Sequence, residues 1–460
     1  MKNMFTAGAA QVDITPPLGT LVNGEFVAYY AHHIHDPLYS KALVLNDSVT
    51  RIAIVIVDIC AMDLEFINET KAVIQETSGI PANNILIAST HTHFAGSIVD
   101  LLGSPCDLGY RRQLGAKIAD SVIQAISKLR PAKMGHISVP VPEHVVCRRY
   151  FMKPGYEAKN PVTGGNDLVK TNPAGAEHWI DRRASVPDAE LSAIGVMSTE
   201  GNWISFLGNY SMHYVGDCNN GTLTADYFGV FARHITRLLN ADSEFVAMLS
   251  NGTSGEANIW DFFAHDRYPA GDFQKSELIG GDLAKQIAGR IAEMQWDEAP
   301  VLSAWYECIK ADVRKATADE LEAAKKIVAE TDYRLLNPGP GAMVEIYARE
   351  QLLLNEFPDT IELPVQVLKL GSVLIGGLGG EFFAETGLKL KKAVNTGKYF
   401  TITMANDYVG YVPPAHEIEN GGYETWRCRS SKLAGNTEEV VTGKLLELVK
   451  KSLQVEEKER

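Results

Sequence analysis

The sequence predicts an α/β protein, and three stretches carry that expectation. "KALVLNDSVTRIAIVIVDI" sets two β-rich runs on either side of an Asn-Asp-Ser turn, and the second run, Ile52–Val57, is apolar throughout, as suits a strand covered on both faces. Helical spacing over residues 63–78 leads into a second buried strand, "NNILIAST". Residues 108–128 then form an amphipathic helix that stops before Pro131, so the order is β, α, β, α.

A strand at 134–140 comes next. Residues 150–188 are rich in Gly, Pro, Asn and charge with little periodicity, the composition of a long functional loop or lid. "LSAIGVMSTEGNWISFLGNY" reads as a second hairpin with Glu-Gly-Asn at its tip, and "EFVAMLSNGTSG" as a strand running into a Gly-rich turn. Helices are expected at 274–294 and 317–330, the latter opening with Thr317 as N-cap and Glu320 three residues on. "PVQVLKLGSVLIGGLGGEFF" gives two strands around Gly371-Ser372, followed by a helix at 381–394, a strand at 399–405 and a closing helix at 437–453.

Composition narrows the function. A net charge of −14, from 43 basic and 57 acidic side chains, disfavours nucleic acid and anionic membrane surfaces, which reward clustered Lys and Arg. No apolar run approaches the roughly 20 residues that span a bilayer, and Met1–Pro17 is too mixed for a secretory signal. The six cysteines form no CxxC pair, which points to reduced thiols in a cytoplasmic protein rather than a disulfide scaffold. Cys147 and Cys218 lie in polar surroundings, where a reactive thiol would sit, although a buried free cysteine is more often filler.

The chemistry-bearing residues gather at strand ends. In "IASTHTHFAGS" an apolar strand ends in His91-Thr92-His93 and runs into small residues. Two histidines two apart on a strand share a face, and neutral imidazole suits zinc; the plainer reading is a pair of strand-end histidines bonded to the backbone. His213 follows another strand and gains interest only as a third imidazole. Glu381 stands where "VLIGGLGG" gives way to a helix, whose N-terminus favours a carboxylate with or without catalysis. Tyr408 and Tyr411 follow the strand "YFTITMA" and Tyr423 lies in a Gly-flanked loop, positions where a phenol can ligate a metal or donate to an oxyanion, or simply pack. "LSNGTSGEANIWD" brings Asn251, Ser254, Glu256 and Asn258 to a strand end without forming the GxSxG elbow of a serine hydrolase.

Taken in order, "AGAAQVDITPPLG", "STHTHFAGS", "CRRYF", "NYSMHYVGDC", "LSNGTSGEAN", "GLGGEFF" and "NDYVGYVPP" with "GGYE" resemble the neutral/alkaline ceramidase superfamily of zinc-dependent amidases. The resemblance spans nearly the whole chain. It implies one α/β catalytic domain over residues 1–460, built on a large mixed sheet, without the C-terminal β-sandwich of the ceramide-cleaving members. It implies zinc (Zn2+) held by His91, His213, Glu381 and Tyr411, with His93, Arg148 and Tyr423 acting on the scissile carbonyl. Arg149 could replace Arg148, and His93 could exchange roles with His91. The ceramide-cleaving members carry a GDxSPN loop where this chain has Gly255-Glu256-Ala257-Asn258, so their active-site serine has no secure counterpart and the choice between Ser254 and Glu256 as a catalytic group stays open.

The expected function is therefore a zinc-dependent hydrolase cleaving an amide, ester or lactone bond in a small soluble substrate. Metal-activated water would attack, Arg148 and Tyr423 would stabilise the oxyanion, and His93 or Glu256 would move the proton. The alternatives are ceramidase-type hydrolysis of a lipid N-acyl amide and a catalytically inactive relative that binds a small ligand. The expected partner is a small molecule, with no nucleic acid and no integral membrane association, and the sequence is compatible with a homo-oligomer. The loops at 150–188 and 261–273 are expected to shape specificity.

Overall fold

The run Ile52–Val57 is apolar at every position because both of its faces are covered. Ala53, Val55 and Val57 point into a core shared with two helices, whereas Ile52, Ile54 and Ile56 point into a core shared with a second sheet. In the computed structural model, which describes residues 4–264, 267–331 and 342–459, that alternation is the plan of the molecule: four layers in the order helix, sheet, sheet, helix.

The first sheet contains β1 (Thr6–Asp13), β2 (Tyr39–Asn46), β3 (Arg51–Val57), β4 (Ile85–Ser89), β5 (Arg130–Pro140), β6 (Glu190–Ser198), β7 (Trp203–Tyr210) and β8 (Val246–Asn251). Their spatial order is β8-β7-β6-β5-β1-β2-β3-β4, with Gln295–Asp297 as a ninth strand added to β5. The pairs β3–β4 and β7–β8 are parallel and the others antiparallel, so the sheet is mixed, as expected. The outer face is covered by α1 (Leu64–Ser78) and α2 (Leu108–Ser127) at one end, and by α3 (Asp226–Leu238) and α4 (Gln274–Ala288) at the other.

The second sheet runs β9-β10-β11-β13. Its strands are β9 (Leu302–Asp312), β10 (Thr360–Leu370), β11 (Val373–Leu378) and, beyond the two-residue strand β12 (Glu381–Phe382), β13 (Tyr399–Ile402). Leu368, Leu370, Ile375, Phe400 and Ile402 meet the first sheet. The opposite face packs on α7 (Ala384–Val394) and α8 (Thr437–Glu459) through Leu390, Leu445 and Leu448, while α5 (Ala318–Glu330) and α6 (Met343–Asn355) pack on each other nearby. Backbone bonds from Thr403 to Asn251 and from Asn406 to Ile87 stitch the two sheets together.

Local chemistry sets the boundaries. Asp63 caps α1 through the Phe66 N–H at 2.8 Å, and Gly79 at φ +73° ends it. Asp107 caps α2. The capping box expected at Thr317 and Glu320 is formed in full.

Several elements differ from expectation. The helix expected at 274–294 stops at Ala288, and the one expected from 381 begins at Ala384, leaving Glu381 in β12. The central strand β1 is made of small residues because the α2 main chain lies against it, so closely that a Cβ at Gly8 would overlap the Ala125 carbonyl. That composition carries no strand signal. α3 is aromatic-rich and interrupted by Gly229, and forms because Phe228, Phe231 and Ile235 fill a core. The stretch 150–188 is not irregular throughout: Arg149–Met152, Val169–Thr171 and Ile180–Arg183 make a three-stranded sheet. Within the loop expected at 261–273, residues 265 and 266 lie outside the described residues. Among the described residues, no helix is long and apolar enough to cross a membrane.

Candidate metal centre and its cavity

Four of the strands end on one side of the molecule, and the loops leaving their C-terminal ends carry the site, as in open α/β sheets generally. His91 follows β4, His213 follows β7, Glu381 follows β11 and Tyr411 follows β13, in the short strand β14 (Tyr411–Val412) that pairs in parallel with β12. All four side chains are buried.

Their ligand atoms converge. His213 Nε2 lies 3.0 Å and His91 Nε2 3.4 Å from the same oxygen, Glu381 Oε2, and the Tyr411 hydroxyl is 3.5 Å from His213 Nε2. Bonds of 2.0–2.1 Å in a tetrahedral zinc site put neighbouring ligands about 3.3 Å apart, so these three separations and the N/O donor set fit zinc. Each imidazole is fixed by its other nitrogen: His91 Nδ1 faces the Cys60 carbonyl at 2.8 Å, and His213 Nδ1 faces the Ser254 carbonyl at 2.6 Å. Each Nδ1–H therefore donates to the main chain and leaves the Nε2 lone pair aimed at the centre. The second oxygen of Glu381 accepts from the Tyr408 hydroxyl at 2.7 Å.

Electrostatics agree with that reading. Burial works against charge on Glu381, yet the facing imidazoles hold its carboxyl well below the usual range. Burial also opposes protonation of His91, but Glu381 and the Cys60 thiol raise it well above an ordinary histidine. The centre thus calls for positive charge beside Glu381.

His91 and His93 do not meet by strand alternation. β4 ends at Ser89 and His91 has φ +70°, a left-handed conformation that is strained for this residue and common at functional sites. Their Nε2 atoms nonetheless approach to 3.3 Å. The ligand atoms of His91, His213 and Glu381 all lie within 4.8 Å of one another, whereas His93 groups with His91 and Cys60. His93 also stacks on Tyr214 with ring centroids 3.9 Å apart.

Beside the centre opens a cavity of about 380 Å³ lined by His93, Arg148, His213, Tyr411 and Tyr423 among others. Arg148 donates to the Tyr411 hydroxyl and the Gly255 carbonyl, both at 3.0 Å, and to Glu424 at 2.7 Å. Arg149 turns away, fully buried against Glu417 and Glu424, so of the two arginines Arg148 faces the cavity. Tyr423 meets Tyr411, Phe26 and Trp426 edge to face.

Glu256 is not brought to this cavity. Its carboxylate accepts the Ala384 N–H at the start of α7 and the Ser185 hydroxyl, so the carboxylate at that helix terminus is Glu256 and not Glu381. Burial pushes it up to about 7. The Ser254 hydroxyl donates to Asn251. Neither candidate cysteine is activated: burial raises Cys147, and takes Cys218 to about 12.

Sequence reasoning assigned no role to Cys60, Tyr214, Glu424 or Glu25, and took Tyr408 only as one of three phenols able to ligate a metal, donate to an oxyanion or pack. Tyr408 was signalled by its spacing from Tyr411 in "DYVGY" and Glu424 by its place next to Tyr423. Cys60, Tyr214 and Glu25 carried no signal, since only the fold brings them to the centre.

The fold is that of the neutral ceramidase type. The solved structure of neutral ceramidase from Pseudomonas aeruginosa superposes with a TM-score of 0.70 at 16% identity, over 98% of this chain and 74% of that one. A ceramidase complexed with C2 gives a TM-score of 0.69 at 16% identity, over 97% of this chain and 75% of that one. The likeness bears out, as a fold, the resemblance seen in the sequence motifs. The sequence matches no family model and no curated protein.

Proposed function

We propose that this protein is a zinc-dependent hydrolase that cleaves an amide, ester or lactone bond in a small soluble substrate. The observation that carries the reading is the convergence of two main-chain-anchored imidazoles on one oxygen of Glu381, with the Tyr411 phenol beside them and a cavity alongside. His91, His213, Glu381 and Tyr411 would hold the zinc, which when bound would supply Lewis acidity towards the carbonyl and the attacking water. Tyr423, whose hydroxyl has no hydrogen-bond partner among the described residues, donates to the oxyanion. Arg148 orients the Tyr411 phenol and adds positive charge at the same wall. His93, at the cavity and in contact with His91, carries the proton to the leaving group. Glu256 holds the start of α7, and through it the segment that bears Glu381.

The six cysteines are free thiols, which supports a cytoplasmic location. The structural neighbours favour a second reading, hydrolysis of a lipid N-acyl amide.

Plasma mass spectrometry of the purified protein, with turnover of p-nitrophenyl esters, lactones, short N-acyl amides and a ceramide, tests both. Near-stoichiometric zinc that falls in His91→Ala and His213→Ala, with turnover lost in both, is the expected result. A folded protein that takes up no zinc overturns the mechanism. Stoichiometric zinc without turnover of any substrate identifies a ligand-binding relative.

A further inference from the structure

The cavity contains a charge that the proposed mechanism does not use. Glu25 lines it from the loop between Asn23 and Phe26, yet forms no hydrogen bond or ion pair through its carboxylate with any described residue. The main chain that bears this side chain is fixed in place. The Glu25 carbonyl accepts the Gly103 N–H at 3.1 Å and the Ser104 hydroxyl at 3.4 Å. Gly24, at φ +106°, packs so tightly on His93 that a Cβ there would overlap the imidazole. Glu25 therefore lines the cavity next to the residue that packs on His93, and His93 and Tyr214 line the same cavity.

Two lysines line the same cavity without neutralising it. Lys159 pairs with Glu157 at 3.3 Å and its side chain is 61% exposed, and Lys170 forms no ion pair with Glu25. Burial without a counter-charge pushes the Glu25 carboxyl upward, with no opposing contribution from either lysine. Phe26, Tyr423 and Trp426 complete the neighbouring wall, Phe26 and Trp426 each edge-on to Tyr423. A half-buried carboxylate beside aromatic rings is the surrounding that a compact organic cation satisfies, by ion pairing and by cation–π attraction.

We infer that the substrate carries a protonated amine, for which Glu25 is the counter-ion and the Phe26, Tyr423 and Trp426 rings form the enclosure. This rests on the cavity being the substrate site, and it narrows the substrate class from any small amide or ester to amino-bearing ones. The unpaired carboxylate makes a neutral or anionic ligand the poorer occupant, since its entry would bury Glu25 further without compensation.

Isothermal titration of the zinc-loaded protein at about pH 8 with n-hexylamine and with n-hexanol, ligands of matching size that differ in charge, tests the inference. The wild type is expected to bind the amine about tenfold or more tightly than the alcohol, a difference of about 1.4 kcal/mol. The preference should vanish in Glu25→Gln and survive in part in Glu25→Asp, with thermal midpoints showing both variants folded. Equal binding of the two ligands by the wild type, no binding of either, or a preference that persists in folded Glu25→Gln overturns it. Binding is read without turnover, so this failure is distinct from failure of the hydrolase reading. Amine selectivity in a protein that hydrolyses nothing upholds the inference and removes the activity. Hydrolysis of neutral esters without amine selectivity does the reverse.

Discussion

Glu381 performs two tasks with its two oxygens: Oε2 faces both imidazoles, and Oε1 accepts from the Tyr408 hydroxyl. Removing that hydroxyl leaves a buried carboxylate oxygen unpaired and free to rotate the ligand. Tyr408→Phe should therefore weaken zinc binding by about 10- to 100-fold with little change in fold, as measured by chelator competition, and unchanged affinity would show that Tyr408 only packs. A different buried charge governs pH dependence. Lys71, on the inner face of α1, is 2% exposed, lies 4.9 Å from the Tyr306 ring centroid, and is lowered by burial to about 7. Its folded value lies below the unfolded one, so the unfolded chain binds more protons between about pH 7 and 10.4, and stability rises with pH across that window. The penalty is complete below pH 7. Lys71→Met should raise stability by a few kcal/mol at pH 6 and by progressively less towards pH 10, in denaturant titrations at the two pH values. A gain independent of pH would show that the ammonium is not the cause.

Among the elements, stability is concentrated where two layers meet. β3 is buried on both faces, so Ile54→Ala opens a cavity between the sheets and should cost about 2–5 kcal/mol. Thr317→Ala breaks the capping box of α5, a helix that among the described residues buries only Ala324, and should cost about 1 kcal/mol. Urea unfolding of the two variants checks the ranking, and a larger loss at Thr317 would place the folding core elsewhere. The same contrast explains which elements were legible. β3, β4 and the capping box of α5 declare themselves through local pattern. β1 does not, because its small residues answer to α2 lying across them, and α3 does not, because Phe228 and Phe231 satisfy a core defined by β7 and β8. The boundary near Glu381 was misplaced for a related reason: pairing of Glu381–Phe382 with Tyr411–Val412 extends the strand, and the helix starts only where Glu256 receives the Ala384 N–H.

At the scale of the molecule, the two sheets supply different parts of one centre. β4 and β7 of the first sheet lead to His91 and His213, and β11 and β13 of the second lead to Glu381 and Tyr411. A ligand bridging both sheets binds only the folded state, so zinc at 100 times its dissociation constant should stabilise the protein by about 2.7 kcal/mol. Thermal denaturation with and without chelator should show that increment in the wild type and its loss in His213→Ala, and an unchanged midpoint would mean that the centre does not hold zinc. The sequence by itself determined the α/β class, the hairpins and the residues at the strand ends, because periodicity, turns and glycine-flanked polar residues are properties of contiguous chain. Only the tertiary structure decided that His91 adopts φ +70°, that Arg148 and not Arg149 faces the cavity, that Glu256 serves a helix terminus, and that Glu25 stands unpaired beside His93. Those outcomes depend on which distant strand ends are brought within a few ångströms of one another, and no local pattern encodes that distance.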